Sequence, residues 1–172
     1  MPAKRHSFDE NRLPETIVAD SSFLFDAVME TGAGRHERAM SFARRLRASN
    51  CIVVYSSLIF LEAPQCWRRM YARGALLPDR IESDLTGNRI NAFRKADDAL
   101  NDLLTSFLRR RVAINRPLLR VASRLVATFN LKAHDALVVA VAHALGVPHI
   151  ASFDRDFRRV DGIELWDGLP MP

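Results

Sequence analysis

Four acidic residues stand where an apolar run gives way to a helical pattern, and together they could hold a cation. They are Asp20 in Ile-Val-Ala-Asp-Ser-Ser, Glu62 in Ser-Leu-Ile-Phe-Leu-Glu-Ala, Asp135 in Lys-Ala-His-Asp-Ala-Leu and Asp154 in Ser-Phe-Asp-Arg-Asp-Phe. In open parallel sheets, binding sites form outside the carboxyl ends of the strands. Carboxylates gathered there repel one another unless a cation joins them. Hard divalent ions such as Mg2+ take one or two carboxylates and keep several waters.

Each acid also has a plainer reading. Asp20 can cap a helix. Glu62 can point to solvent or pair with a neighbour. Asp135 can complement a helix dipole. Asp154 and Asp156 can serve a turn. Asp135, however, opens a helix that is apolar nearly all round, so its charge lies near the core and needs a partner or a metal. The shared placement of the four is the specific signal.

The elements that would position these acids alternate between strand and helix. Thr16–Ala19 reads as a strand. A helix follows from Ser21–Ser22 up to Gly32, and a second runs from Arg35 to Ala48. Cys51–Tyr55 has the continuous apolar character of a strand buried on both faces. The next helix, capped by Ser57 or Ser56, runs toward Arg73, and Pro64 inside it is expected to kink it. Residues 74–87 read as a loop. Asn88–Arg110 reads as a long amphipathic helix closed by Arg109-Arg110-Arg111, and Val112–Ile114 as a short strand. Asn115 and Pro117 open a helix that Asn130 stops. Ala133–Leu145, ended by Gly146, reads as a central buried helix. His149–Ser152 and Ile163–Leu165 complete the strands. The expected fold is α/β, a three-layer α/β/α sandwich with a mostly parallel sheet of four or five strands.

Composition fits one globular domain. The chain has 172 residues, 48% hydrophobic and 26% charged. We expect residues 1–13 to be a polar flexible tail and 14–172 to be one domain. No apolar run approaches the roughly 18 residues of a spanning helix, and the start lacks a secretory pattern. Cys51 and Cys66 make no disulfide framework, which suits buried thiols in the cytoplasm. A net charge of +5 and a pI of about 9.9 are compatible with nucleic acid but do not establish it. Other chemistries lack their signatures. The five histidines show no metal-ligand spacing, and Gly32-Ala33-Gly34 is no phosphate loop. His134 is expected to point away from Asp135, and Trp67 and Tyr71 to pack or to lie in an interface.

Three segments resemble the PIN domain family, and within it the VapC-like toxin ribonucleases. They are Ile17-Val18-Ala19-Asp20-Ser21-Ser22, His134-Asp135-Ala136-Leu137-Val138-Val139-Ala140-Val141-Ala142 and His149-Ile150-Ala151-Ser152-Phe153-Asp154-Arg155-Asp156-Phe157. The resemblance spans roughly residues 16–166, with Glu62 a looser match and Ser152 standing where threonine is more common. It implies that Asp20, Glu62, Asp135 and Asp154 hold one or two Mg2+ or Mn2+ ions. Ser22 would support Asp20, and Asp156 would brace the turn. The implied activity is hydrolysis of RNA phosphodiester bonds by activated water. The implied partners are an antitoxin protein and a second copy of the chain in a homodimer. Two other readings stay open: the same nuclease in tRNA or rRNA processing, and a binding module that has lost the chemistry.

Overall fold

The apolar runs pair side by side, and every pairing in the sheet is parallel. The computed structural model describes residues 2–29, 34–73 and 85–168. In chain order the elements are β1 (Lys4–Ser7), β2 (Thr16–Ala19), α1 (Ser21–Val28), α2 (Arg35–Ala48), β3 (Ile52–Ser56) and α3 (Ile59–Ala72). Then come α4 (Leu85–Ser106), β4 (Leu108–Val112), α5 (Arg116–Phe129), α6 (Ala133–Leu145), β5 (His149–Ala151), a 3-10 turn (Arg155–Arg159) and β6 (Glu164–Asp167). The strand order is β1-β6-β5-β2-β3-β4.

Two cores separate the three layers. Phe23, Phe42, Trp67 and Leu100, from α1 to α4, pack on Ile17, Val53 and Tyr55 of the sheet. Leu118, Ala122 and Leu125 of α5, with the length of α6, pack on Val18, Val54, Ile150 and Leu165 from the other side. Alternate residues of one strand therefore serve opposite layers, as the two-residue period requires. This explains why β2, β3 and β5 read as unbroken apolar runs.

Local signals set the element ends. Asp20 caps α1 by accepting from Ser22 N. Asn115 accepts from Leu118 N to cap α5. Asn130 and Gly146 close α5 and α6 in the left-handed region, at φ 51° and 64°. Pro64 lies inside α3 without ending it. Cys51 and Cys66 are free and buried.

Several expectations need correction. The sheet has six strands, because residues 1–13 contain β1 rather than a loose tail. β1 pairs with β6 in the register Lys4↔Glu164 to Ser7↔Asp167. Arg5 donates twice to the buried Asp167 carboxylate, at 3.0 and 3.2 Å. Phe8 then enters the core and stacks on Phe42 at 4.1 Å between ring centroids. The first helix ends at Val28; Gly32, its expected stop, lies outside the described residues. The expected 74–87 loop lies outside them up to residue 84, and Gly87 belongs to α4. That helix stops at Ser106, so Arg109-Arg110-Arg111 is strand, and the strand expected at 112–114 lies at 108–112. Pairing with β3 decides this: Val53↔Arg109, Val54↔Arg110 and Tyr55↔Arg111 are in register.

Candidate metal centre

The chain order reverses at β2, which has β3 on one side and β5 on the other. Crevices outside the strand ends at such a switch point are where α/β sheets bind ligands. A pocket of about 460 Å3 opens there, and Asp20, Glu62, Asp135 and Asp154 all line it. The β2–α1 turn supplies Asp20, α3 supplies Glu62, the first turn of α6 supplies Asp135, and the turn after β5 supplies Asp154.

Hydroxyls fix Asp20. Its Oδ2 accepts from Ser22 Oγ at 2.6 Å, Ser152 Oγ at 2.8 Å and Ser22 N at 3.2 Å. The two hydroxyls also support the turn after β5, since Phe153 N donates to Ser22 Oγ and Asp154 N to Ser152 Oγ. Burial nonetheless pushes the Asp20 carboxyl above its ordinary range, against the pull of these hydrogen bonds. Ser22 donates to Asp20 through both its hydroxyl and its backbone amide. Ser152, fully buried, adds a second hydroxyl to the hold on Asp20.

Asp135 is the most exposed to conflict among charges. Burial first, then the charges of Asp20 and Asp154, push it up to about 7. Its Oδ2 is buried and has no hydrogen-bond partner. One carboxylate oxygen each from Asp135, Asp154 and Asp156 lies within 4.8 Å of the others. Asp156 therefore stands nearer the acidic centre than a turn brace alone requires, although it also pairs with Arg159 at 2.6 Å. Three clustered carboxylates, one of which keeps an orphaned buried oxygen, are a donor set suited to a hard divalent ion. The residues present fit such an ion.

Glu62 reaches the pocket despite Pro64. Burial raises its pKa, while a hydrogen bond from Ser21 and the nearby His134 lower it. His134 Nδ1 lies 2.5 Å from Glu62 Oε1. His134, expected only to point away from its neighbour Asp135, thus meets Glu62 across the pocket. Lys132, which sequence reasoning passed over, lies 3.1 Å from Asp154 Oδ2 and 3.5 Å from Asp156 Oδ2. Arg35, Arg69, Arg73 and the buried Asp26 also border the pocket. Arg69 lies in the last turn of α3 and Arg73 is the residue that caps its end, a four-residue spacing visible in the sequence. Asp26 gave no signal beyond being an acid within an apolar helix.

A wider cleft, about 580 Å3, lies at the opposite, amino end of the strands. His6 there bridges Glu10 at 2.8 Å and Glu164 at 2.7 Å and stacks on Trp166. The larger volume does not mark the acidic centre, since two of this cleft's acids, Glu10 and Glu164, are already hydrogen-bonded to His6.

Two solved structures share the architecture. VapC20 of Mycobacterium tuberculosis, a sarcin-ricin loop cleaving toxin, is 22% identical with a TM-score of 0.54, over 82% of this chain and 92% of that one. PAE2754 of Pyrobaculum aerophilum is 16% identical with a TM-score of 0.58, over 87% and 83%. At these identities the likeness is one of fold. No curated protein matches the chain. The model of the PIN domain matches residues 17–163. That span includes Asp20, Glu62, Asp135 and Asp154, both serines that hold Asp20 and the helices on both sides of the sheet, and the chain belongs to the PIN domain family.

Proposed function

We propose that this protein is a divalent-cation-dependent endoribonuclease, the toxin of a toxin-antitoxin pair. The observation that carries the proposal is the meeting of Asp20, Glu62, Asp135 and Asp154 in one pocket, where Asp135 keeps an unsatisfied carboxylate oxygen. These four would hold one or two Mg2+ or Mn2+ ions, with Asp156 beside them. When bound, the ion supplies Lewis acidity, which makes a water nucleophilic near neutral pH and offsets charge on the phosphodiester.

The remaining groups have roles of their own. Ser22 and Ser152 hold Asp20 in one orientation, so little reorganisation is needed when a cation arrives. His134 steadies Glu62 across the pocket. Lys132 lowers the repulsion between Asp154 and Asp156 and offers an ammonium to a phosphate oxygen. Arg69 and Arg73 give the rim a positive edge that draws a polyanion toward an otherwise acidic floor. Nothing in this arrangement requires a side-chain nucleophile.

The toxin role is supported by the fold shared with VapC20. It entails a cytoplasmic protein, a small antitoxin whose basic groups meet the carboxylates, and a homodimer. Induced expression tests it. Growth should arrest and cellular RNA should show discrete cuts, and co-expression of an adjacent small reading frame should relieve both. Cleavage without arrest would favour RNA processing. A chain that neither arrests growth nor cuts RNA contradicts the proposal.

A further inference from the structure

The cations are not spread evenly. From residue 103 to residue 134 the chain has no acidic residue and seven cations: Arg109, Arg110, Arg111, Arg116, Arg120, Arg124 and Lys132. Those seven exceed the whole chain's net +5, so the remainder carries a net −2 (five less seven). All six arginines are exposed. Among the described residues, the arginines in ion pairs are Arg5, Arg35, Arg158 and Arg159, and none of the six. Unpaired like charges held this close repel one another and lower stability.

Their placement is ordered. β4 is the edge strand beside β3, so Arg109 to Arg111 line the rim of the sheet. Arg116, Arg120 and Arg124 recur every fourth residue along α5, a run of about 12 Å at the helical rise. They lie opposite Leu118, Ala122 and Leu125, which face the core. β4 runs from the amino end of the sheet to the pocket's end, and the segment closes beside the pocket. Val112, the carboxyl end of β4, accepts from Ser57 N, and Lys132 borders the pocket. Charges on an edge strand do discourage edge-to-edge pairing. That explanation covers β4 but not the α5 row, nor the exclusion of acids over the whole segment.

We propose that β4 and the outer face of α5 grip the phosphate backbone of RNA substrates that extend beyond the pocket. The inference rests on the ribonuclease reading and adds where a long substrate is held. Guanidinium groups suit it, because their planar forks match phosphate oxygens in pairs. Such contacts set affinity and register, not sequence choice.

The test uses the full chain with a fluorescein-labelled RNA stem-loop, in chelator so that nothing is cut. Two variants are compared with wild type: the triple Arg116→Gln, Arg120→Gln, Arg124→Gln and the double Arg109→Gln, Arg111→Gln. Each cation lost should reduce the slope of log affinity against log salt by about 0.7–0.9, so the triple variant should lose about 2–3 and bind about tenfold or more weakly. With Mn2+, cleavage of a short oligoribonucleotide should keep its kcat in both variants, while KM for the stem-loop rises. If wild type cuts neither RNA, the nuclease reading fails, but the binding comparison still decides this inference. Unchanged stem-loop affinity and slope in both folded variants overturn it. So does tighter wild-type binding of an oligoglutamate peptide that the triple variant loses, which would assign the face to an acidic protein.

Discussion

Replacing Asp135 with asparagine should make the cation-free protein more stable while removing its response to cations. The Asp135 carboxyl is raised from 3.8 to about 7, by burial and by the charges of Asp20 and Asp154. The folded state therefore holds this proton more tightly than the unfolded chain does. Above pH 3.8 the unfolded chain gains by ionising, so this group's contribution to stability falls as pH rises toward 7 and is flat beyond it. At about 1.4 kcal/mol per pH unit, the raised value corresponds to a ceiling of about 4 kcal/mol at pH 8. The carboxyl borders an open pocket, and water there screens part of the effect, so we expect a gain of about 1–3 kcal/mol for Asp135→Asn. Urea denaturation in chelator at pH 8 and pH 5 measures it. The variant should exceed wild type at pH 8, and the gap should shrink at pH 5. Adding Mn2+ should raise the wild-type midpoint and leave the variant where it was. A variant that is no more stable at pH 8, or that still gains from Mn2+, would refute the reasoning.

Other outcomes follow from the same structure. Ser152→Ala removes a donor to Asp20 and leaves Asp154 N without its acceptor, so it should cost about 1–3 kcal/mol in chemical denaturation. Phe8→Ala should cost about 3–5 kcal/mol, because Phe8 lies in the core with Phe23, Phe42 and Phe153 around it; a loss below about 1 kcal/mol would mean the amino-terminal segment is loose after all. Cys51 and Cys66, pushed by burial to about 12 and about 11, should resist a thiol reagent at pH 8 in the native protein and react promptly in denaturant.

The sheet centre was legible because β2, β3 and β5 are buried on both faces, and unbroken apolar runs say so. The caps of α1 and α5 and the stops of α5 and α6 were legible because Asp, Asn and Gly do local work at those positions. β1 was not, since Lys-Arg-His-Ser has no apolar residue; its place depends on Arg5 meeting Asp167 more than 160 residues away. β4 was misplaced for a like reason. Three arginines after an amphipathic helix resemble a helix end, and only pairing with β3 makes them strand. At the site, the acids that follow β2 and β5 and the one that opens α6 could be read from the pattern of elements. Glu62 depended on α3 continuing through Pro64. Lys132 carries no motif, and the roles of Lys132, His134 and Ser152 arise from packing distant turns together.

Cleavage of synthetic RNA by the purified chain tests the carboxylate centre most directly, with Mg2+ or Mn2+, with chelator, and with Asp20→Asn in place of wild type. The account predicts cutting by wild type with either ion, none in chelator, and none by Asp20→Asn although that variant stays folded. Cutting that survives chelator, or survives the loss of the Asp20 charge, would contradict it.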